Sequence, residues 1–306
     1  MGTVVGDDEM RPLNHPGWVR ELPSFPHSRY NEPLMELFEF YKENVKRDVA
    51  DGKLRPPDFW FLLRGLLIGA AQTYAAICIL LADGRPKPLE LQAGVLNRSL
   101  LESLGNVLAL CEAPKARTKV FLREAYKSLA LDFRRLDARY GKVAKWRDYL
   151  TGYGKVLQSL AEQLHLSRSR VNKPDAIPDW PTPGVMVYGS RRRQQPPFLR
   201  GNRRVAFKEI YDHHYGRQSG QAHQRGFAVA TALLVDDPNA PWSRTYGKSR
   251  IVASAMIFLA CILSEIESKG RYDRHRELRK LWVEICRLDD LAKDLWRLRY
   301  RKLIGA

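Results

Sequence analysis

Apolar side chains recur at intervals of three and four along most of this chain, and β-branched runs that alternate apolar with polar residues are almost absent. A helix returns to the same face every third or fourth residue, whereas a half-buried strand needs a period of two. The pattern argues against a sheet and for an all-α fold, a bundle of about seven or eight helices. With 306 residues the chain is long enough to bury a sizeable core.

Residues 1–32 hold several prolines and little periodicity, and are read as an irregular N-terminal arm. Pro33–Ala50 carries Leu34, Leu37, Phe38, Tyr41 and Val45 at helical spacing and forms the first helix, broken by Asp51-Gly52 and Pro56-Pro57. A second helix runs from about Asp58 to Ala82 and a third from about Pro88 to Cys111. Ala116–His165 is a long helical region with Leu122, Tyr126, Leu129, Phe133 and Leu136 as its buried stripe, interrupted at Gly152 and Gly154. The bundle's first part is thus 33–165. Residues 166–204 form a basic, proline-rich loop, and 205–306 the second part of the same domain. There Gly226–Val235 and Ser249–Ser268 are strongly apolar and central. The last helix, Arg274–Leu303, spaces Leu278, Leu281, Ile285, Leu288, Ala292 and Leu295 as a heptad seam beside Trp282 and Trp296. That seam can pack on the bundle or on a second copy of the chain.

The formal net charge is +17 and the isoelectric point about 9.8. Such a balance suits polyanionic partners, nucleic acid or an anionic membrane surface, although charged helix faces on a soluble protein produce it too. Arg191, Arg192, Arg193, Arg200, Arg203 and Arg204 cluster in the loop with no acid among them, and are expected either to hold a nucleic-acid backbone or to be a solvated linker. Cys78, Cys111, Cys261 and Cys286 sit in apolar helical contexts without C-x-x-C spacing, so neither disulfides nor zinc is expected. The acidic, proline-bearing start lacks the features of a signal peptide, and a cytoplasmic location is expected. Gly65–Ala82 is nearly long enough to span a bilayer, but Gln72, Thr73 and Tyr74 at its centre suit a buried helix better; Ile251–Leu263 is too short. No integral membrane segment is expected.

Chemistry concentrates in Arg203–Gly226. Tyr211, Tyr215, Ser219 and His223 step by four and make one polar, aromatic stripe along a helix. Drawn into a core, such side chains must be paired. Arg217 and His223 fit an R-x(5)-H pattern, the minimum for cleaving RNA without a metal. The ribose 2′-hydroxyl attacks the adjacent phosphate, His223 moves a proton, and Arg217 neutralises the developing charge. The two lie on different helical faces, so a break near Gly216 or Gly220 is needed to bring them together. That reaction favours RNA over DNA as partner and needs no cofactor.

Two other constellations compete. Arg98 and Glu102, with Asn106 one turn on, share one face of an otherwise apolar helix. They form an intrahelical ion pair that requires further partners if buried, and Tyr215 and His223 are candidates. Glu209 and His213, with Asp212 and His214 nearby, have a spacing that can bind metal. No second such pair exists, His213 and His214 are read as surface residues, and no metal site is expected. Ser219 and His223 lack the G-x-S-x-G elbow and the strand of a hydrolase.

LNRSLLESLGNVLAL (Leu96–Leu110) followed by Y-x(3)-Y-x(3)-S-x(3)-H (Tyr211–His223) resembles an uncharacterised bacterial family of all-helical proteins, over about Asp58–Val235. That family is distantly similar to the HEPN superfamily of helical bundles, many of them metal-independent ribonucleases of toxin–antitoxin and antiviral systems. The resemblance implies catalytic roles for Arg217 and His223, a polar follower at Gln218, and a homodimer with two motifs facing one cleft. It also implies that Tyr211, Tyr215, Ser219, Arg98, Glu102 and Asn106 support them. The tyrosine–serine–histidine stripe, rather than the arginine, is the stronger signature of the family. The alternative is a non-catalytic helical protein that binds nucleic acid or another protein, with the stripe as core architecture.

Overall fold

The computed structural model describes residues 31–81, 89–190, 194–222 and 241–304, with the helical backbone alone at 90, 216–222 and 241–249. In chain order the α-helices are α1 (Asn31–Ala50), α2 (Pro57–Leu81), α3 (Glu90–Glu112), α4 (Pro114–Tyr140), α5 (Arg147–Gln163), α6 (Arg168–Asn172), α7 (Pro183–Tyr188), α8 (Gly201–Ala222), α9 (Pro241–Gly270), α10 (His275–Cys286), α11 (Asp290–Leu295) and α12 (Arg301–Ile304). Among the described residues the one extended pairing is an isolated bridge between Ser190 and Gln195. The all-α expectation holds, with more segments than the seven or eight expected because several are single turns.

The chain divides into two compact units: Met1–Glu112 with Pro183–Ala306, and Ala113–Thr182. In the first, α1 buries Leu34, Leu37, Phe38, Tyr41 and Val45, the stripe read from spacing. Glu32 in its first turn and Arg47 in its last suit the helix dipole. Helix α3 packs against α2, α8 and α9. Three neighbours leave it no solvent side at its C-terminal end, and Val107, Leu108, Ala109, Leu110 and Cys111 are fully buried. In α9 every residue from Ile251 to Glu267 is buried, which explains its near-continuous apolar run.

Among the described residues two helices are long and apolar enough to cross a membrane: Pro57–Leu81, with 39% of its apolar window buried, and Arg250–Gly270, with 89% buried. The second corrects the reading of Ile251–Leu263 as too short, since the helix runs well past the apolar stretch. Burial in the core accounts for its composition.

The single final helix is also corrected. Helix α10 stops at Cys286, and the Asp289 side chain accepts a 2.8 Å hydrogen bond from the Leu291 amide to start α11. A carboxylate at that position competes with continued helix by capping the next one. Wider π-type turns over Trp296–Tyr300 follow. The seam survives the break: Leu278, Leu281, Ile285, Leu288, Ala292 and Leu295 are all buried within this chain, with Trp282 stacked on Tyr300 at 4.9 Å. Of the two expected partners for the seam, the bundle is the one observed.

In the second unit α4 and α5 fold back on each other around Tyr126, Ala130, Leu157, Ala161, Leu164 and Ile177. The expected interruption at Gly152 and Gly154 lies instead at Gly141–Val143, and both glycines sit inside α5. Leu129, expected in the stripe, is 39% exposed. Nor is 166–204 one loop. It contains α6, a 3₁₀ turn at Pro174–Ala176, and α7, and the boundary between the units falls inside it. Proline at the first position of a turn starts helix rather than preventing it, so composition alone hid these pieces.

Candidate functional site

The approach of α8 to α3 is set at Gly105. A Cβ there would lie 2.7 Å from the Phe207 ring and 3.2 Å from the Met186 sulfur, so only glycine lets α3, α7 and α8 meet so closely. Two turns before Gly105, Arg98 crosses to α8. One of its terminal nitrogens donates to the Tyr215 hydroxyl at 2.9 Å, and its Nε donates to Glu102 at 3.2 Å. The guanidinium carbon also lies 4.9 Å from the Tyr215 ring centre, within range of a cation–π attraction. Asn106, half-buried, follows Glu102 on the same face of α3.

The rings continue from there. Tyr211 stacks on Tyr215 at 4.4 Å and 18°, and Tyr188 of α7 meets Tyr211 edge-on at 6.0 Å. Tyr188 donates to the Asp212 carboxylate, which also accepts from Lys208 at 2.6 Å. Burial acts to raise the Asp212 carboxyl, but hydrogen bonds from Lys208 and Tyr188 outweigh it and hold the group below its ordinary value. The Tyr188 phenol is raised, first by its bond to Asp212, and Tyr211 is raised by burial and by its phenol neighbours. The result is a half-exposed surface of three phenols and one arginine, with Lys208 and Asp212 at its edge.

The stripe and the Arg98–Glu102 helix are therefore brought together at Tyr211 and Tyr215. Arg217 and Ser219 lie on the backbone of α8, and His223 lies outside the described residues, as do Arg191, Arg192 and Arg193. The break expected near Gly216 or Gly220 is not found, because α8 runs through both to Ala222. One glycine costs a helix only about 1 kcal/mol, which a packed helix tolerates.

The remaining basic residues of the expected phosphate-binding arm differ in fate. Arg200 is exposed, with its backbone amide donating to Glu112 at 3.1 Å. Arg203 and Arg204 face the protein instead. Arg203 is paired at 3.3 Å with the fully buried Glu265, and Arg204 donates to the Val187 carbonyl at 2.9 Å. A guanidinium already held by a buried carboxylate is poorly placed to bind phosphate. His214, read as a surface residue, is buried edge-on to Phe258 at 5.3 Å, while His213 and Glu209 are exposed. Among the described residues no three His, Cys, Asp or Glu side chains gather as metal ligands would.

Sequence reading missed the most buried polar network. Glu265 is bonded by Arg299 at 2.6 Å as well as by Arg203. Glu267, also fully buried, accepts from the Tyr41 hydroxyl at 2.7 Å and the Arg274 amide at 3.2 Å, with His275 Nε2 at 3.3 Å. The available signal was the sequence Ser264-Glu265-Ile266-Glu267, two acids directly continuing an apolar run. No family model matches the chain, and neither a curated protein nor a solved structure matches it at a significant level.

Proposed function

We propose that the protein binds RNA on the face formed by α3 and α8, and cleaves it there without a metal, in the manner of HEPN-type ribonucleases of bacterial defence or toxin systems. The observation that carries the reading is the hydrogen bond from Arg98 to Tyr215. It joins the arginine–glutamate helix to the tyrosine–serine–histidine helix and sets a cation beside half-exposed rings. Base–ring stacking and a guanidinium for phosphate are the two interactions single-stranded RNA requires. Arg98 is the cation placed at the stripe, so it takes the phosphate-holding role that the R-x(5)-H pattern gives to Arg217, because α8 continues without the break that would bring Arg217 and His223 together. His223, further along the stripe in sequence, serves as the proton carrier. Attack by the 2′-hydroxyl expels the 5′-oxygen of the next nucleotide and leaves a cyclic phosphate.

The test is incubation of pure protein with labelled RNA in the presence of chelator. Cyclic phosphate ends that disappear in His223→Ala support the enzyme. The second reading, a non-catalytic nucleic-acid-binding protein, is favoured by one observation: Glu102 already neutralises Arg98. Salt-sensitive binding without cleavage would select it.

A further inference from the structure

The turn between α4 and α5, in the second unit, carries a surface of its own. Helix α4 ends at Tyr140, and Gly141 is required there because a Cβ would lie 2.6 Å from the Asp137 carbonyl oxygen. The chain then passes through a 3₁₀ turn at Ala144–Trp146 into α5. This folds four rings into one continuous ladder. Tyr140 stacks on Trp146 at 4.5 Å and 9°; Trp146 meets Tyr149 edge-on at 5.6 Å; Tyr149 meets Tyr153 at 5.9 Å. The inner end is anchored, since Tyr153 packs on Phe133 at 5.4 Å and its hydroxyl donates to the Leu129 carbonyl at 3.1 Å. Tyr149, between Trp146 and Tyr153, is the exposed ring of the ladder at 55%, whereas Tyr140, Trp146 and Tyr153 are half-buried.

Cations flank the turn along the chain. Arg135, Arg139, Lys142, Lys145 and Arg147 are all exposed, and among the described residues no ion pair engages any of them. Arg139 lies over the Tyr140 ring at 5.3 Å. Against these five cations stand three exposed acids, Asp132, which accepts from the Tyr153 hydroxyl at 3.3 Å, Asp137 and Asp148, so the turn carries a positive excess.

We propose that this turn binds single-stranded nucleic acid without regard to sequence, with phosphates on Lys142 and Lys145 and a base stacked on Tyr149. Fixed rings present flat faces that every base can match, and such stacking is sequence-tolerant. A duplex hides its base faces, so the single strand is the form that fits. An anionic bilayer is the less suitable polyanion. The rings are locked against one another, and between Tyr140 and Tyr153 Val143 is the one large aliphatic side chain exposed.

The inference does not rest on cleavage at the Arg98–Tyr215 face, and the test keeps the two apart. Fluorescence anisotropy of the full-length protein with labelled oligothymidylate uses a strand that lacks the 2′-hydroxyl and cannot be cut by that reaction. Lys142→Glu with Lys145→Glu is expected to weaken binding at least about tenfold and to flatten its salt dependence. Tyr149→Ala, at an exposed position, is expected to weaken it about tenfold, while Lys46→Ala, at an exposed position on α1, leaves it near the parent value. Parent-like affinity in both turn variants would overturn the assignment. So would failure of the parent to bind the strand while it captures phosphatidylserine vesicles.

Discussion

Arg98 and Tyr215, 117 residues apart in sequence, are joined by a 2.9 Å hydrogen bond that ties α3 to α8. The arginine is positioned by Glu102 one turn on, and the tyrosine by Tyr211 one turn back. Each partner is thus held by its own helix before the helices meet. The bond is half-exposed, so its energy is modest. Tyr215→Phe is expected to cost about 1 kcal/mol of stability. Arg98→Ala should cost less in that background than in the parent, a coupling that a double-mutant cycle in urea measures directly. Strict additivity would mean that the contact carries no energy.

Gly105→Ala tests the close approach itself. Alanine favours a helix by up to about 1 kcal/mol over glycine, yet its methyl would press on the Phe207 ring, which is fully buried and has nowhere to go. We expect net destabilisation of about 1–2 kcal/mol. Stabilisation would show that α8 can retreat from α3 at no cost. Gly105→Ala with Phe207→Leu should recover part of the loss by making room.

These contacts show what could be read from the residues alone. The stripe positions on α1 and α10 were legible because periodicity reports burial directly, and Arg98 and Tyr215 because polar side chains in apolar helices need partners. The break at Asp289 was not legible. The hydrophobic spacing continues across it, so Leu288 and Ala292 stay buried on either side while the backbone restarts. The partner of Arg203 was hidden for a related reason. Its neighbours in sequence are basic, but its partner Glu265 lies 62 residues away, and only the fold shows which charges are already used.

Asp289 should leave a mark on pH dependence. Burial raises its carboxyl above the ordinary value, partly offset by the Leu291 amide, His213 and Arg250, while Asp290 adds to the rise. The folded protein therefore holds that proton more tightly than the unfolded chain does. Its contribution to stability is greatest in acid and declines as pH rises from the ordinary carboxylate value through the raised one. Asp289→Asn should flatten this slope and leave neutral-pH stability equal or higher, since the amide oxygen still accepts from Leu291. Asp289→Ala should lose about 1 kcal/mol with the cap. Thermal melts across the acid range separate the three, and an unchanged slope in the asparagine variant would reject the assignment.

The cysteines give a simpler readout of packing. All four are buried, and burial pushes Cys78 and Cys286 up to about 12 and Cys111 and Cys261 higher still. Since only the thiolate attacks, alkylation by iodoacetamide at mild alkaline pH should be negligible in the native protein and complete in denaturant. Rapid native labelling of any one would mean that its helix opens locally.

Glu265 offers the largest expected effect and decides what Arg203 is for. The carboxylate has no exposure, and both Arg203 and Arg299 depend on it for charge compensation. Glu265→Ala would leave two cations facing each other away from water, and the expected loss is about 3–5 kcal/mol by urea denaturation. Changing all three at once, with Glu265→Leu, Arg203→Met and Arg299→Met, should restore much of it, because such a network costs desolvation that apolar groups do not. The two roles for Arg203 then separate cleanly. If it is structural, Arg203→Ala lowers the urea midpoint and leaves the affinity of the folded protein for RNA unchanged. If it grips phosphate, affinity falls and the salt slope shrinks by about one unit. The 3.3 Å contact with a carboxylate sealed from solvent favours the first outcome.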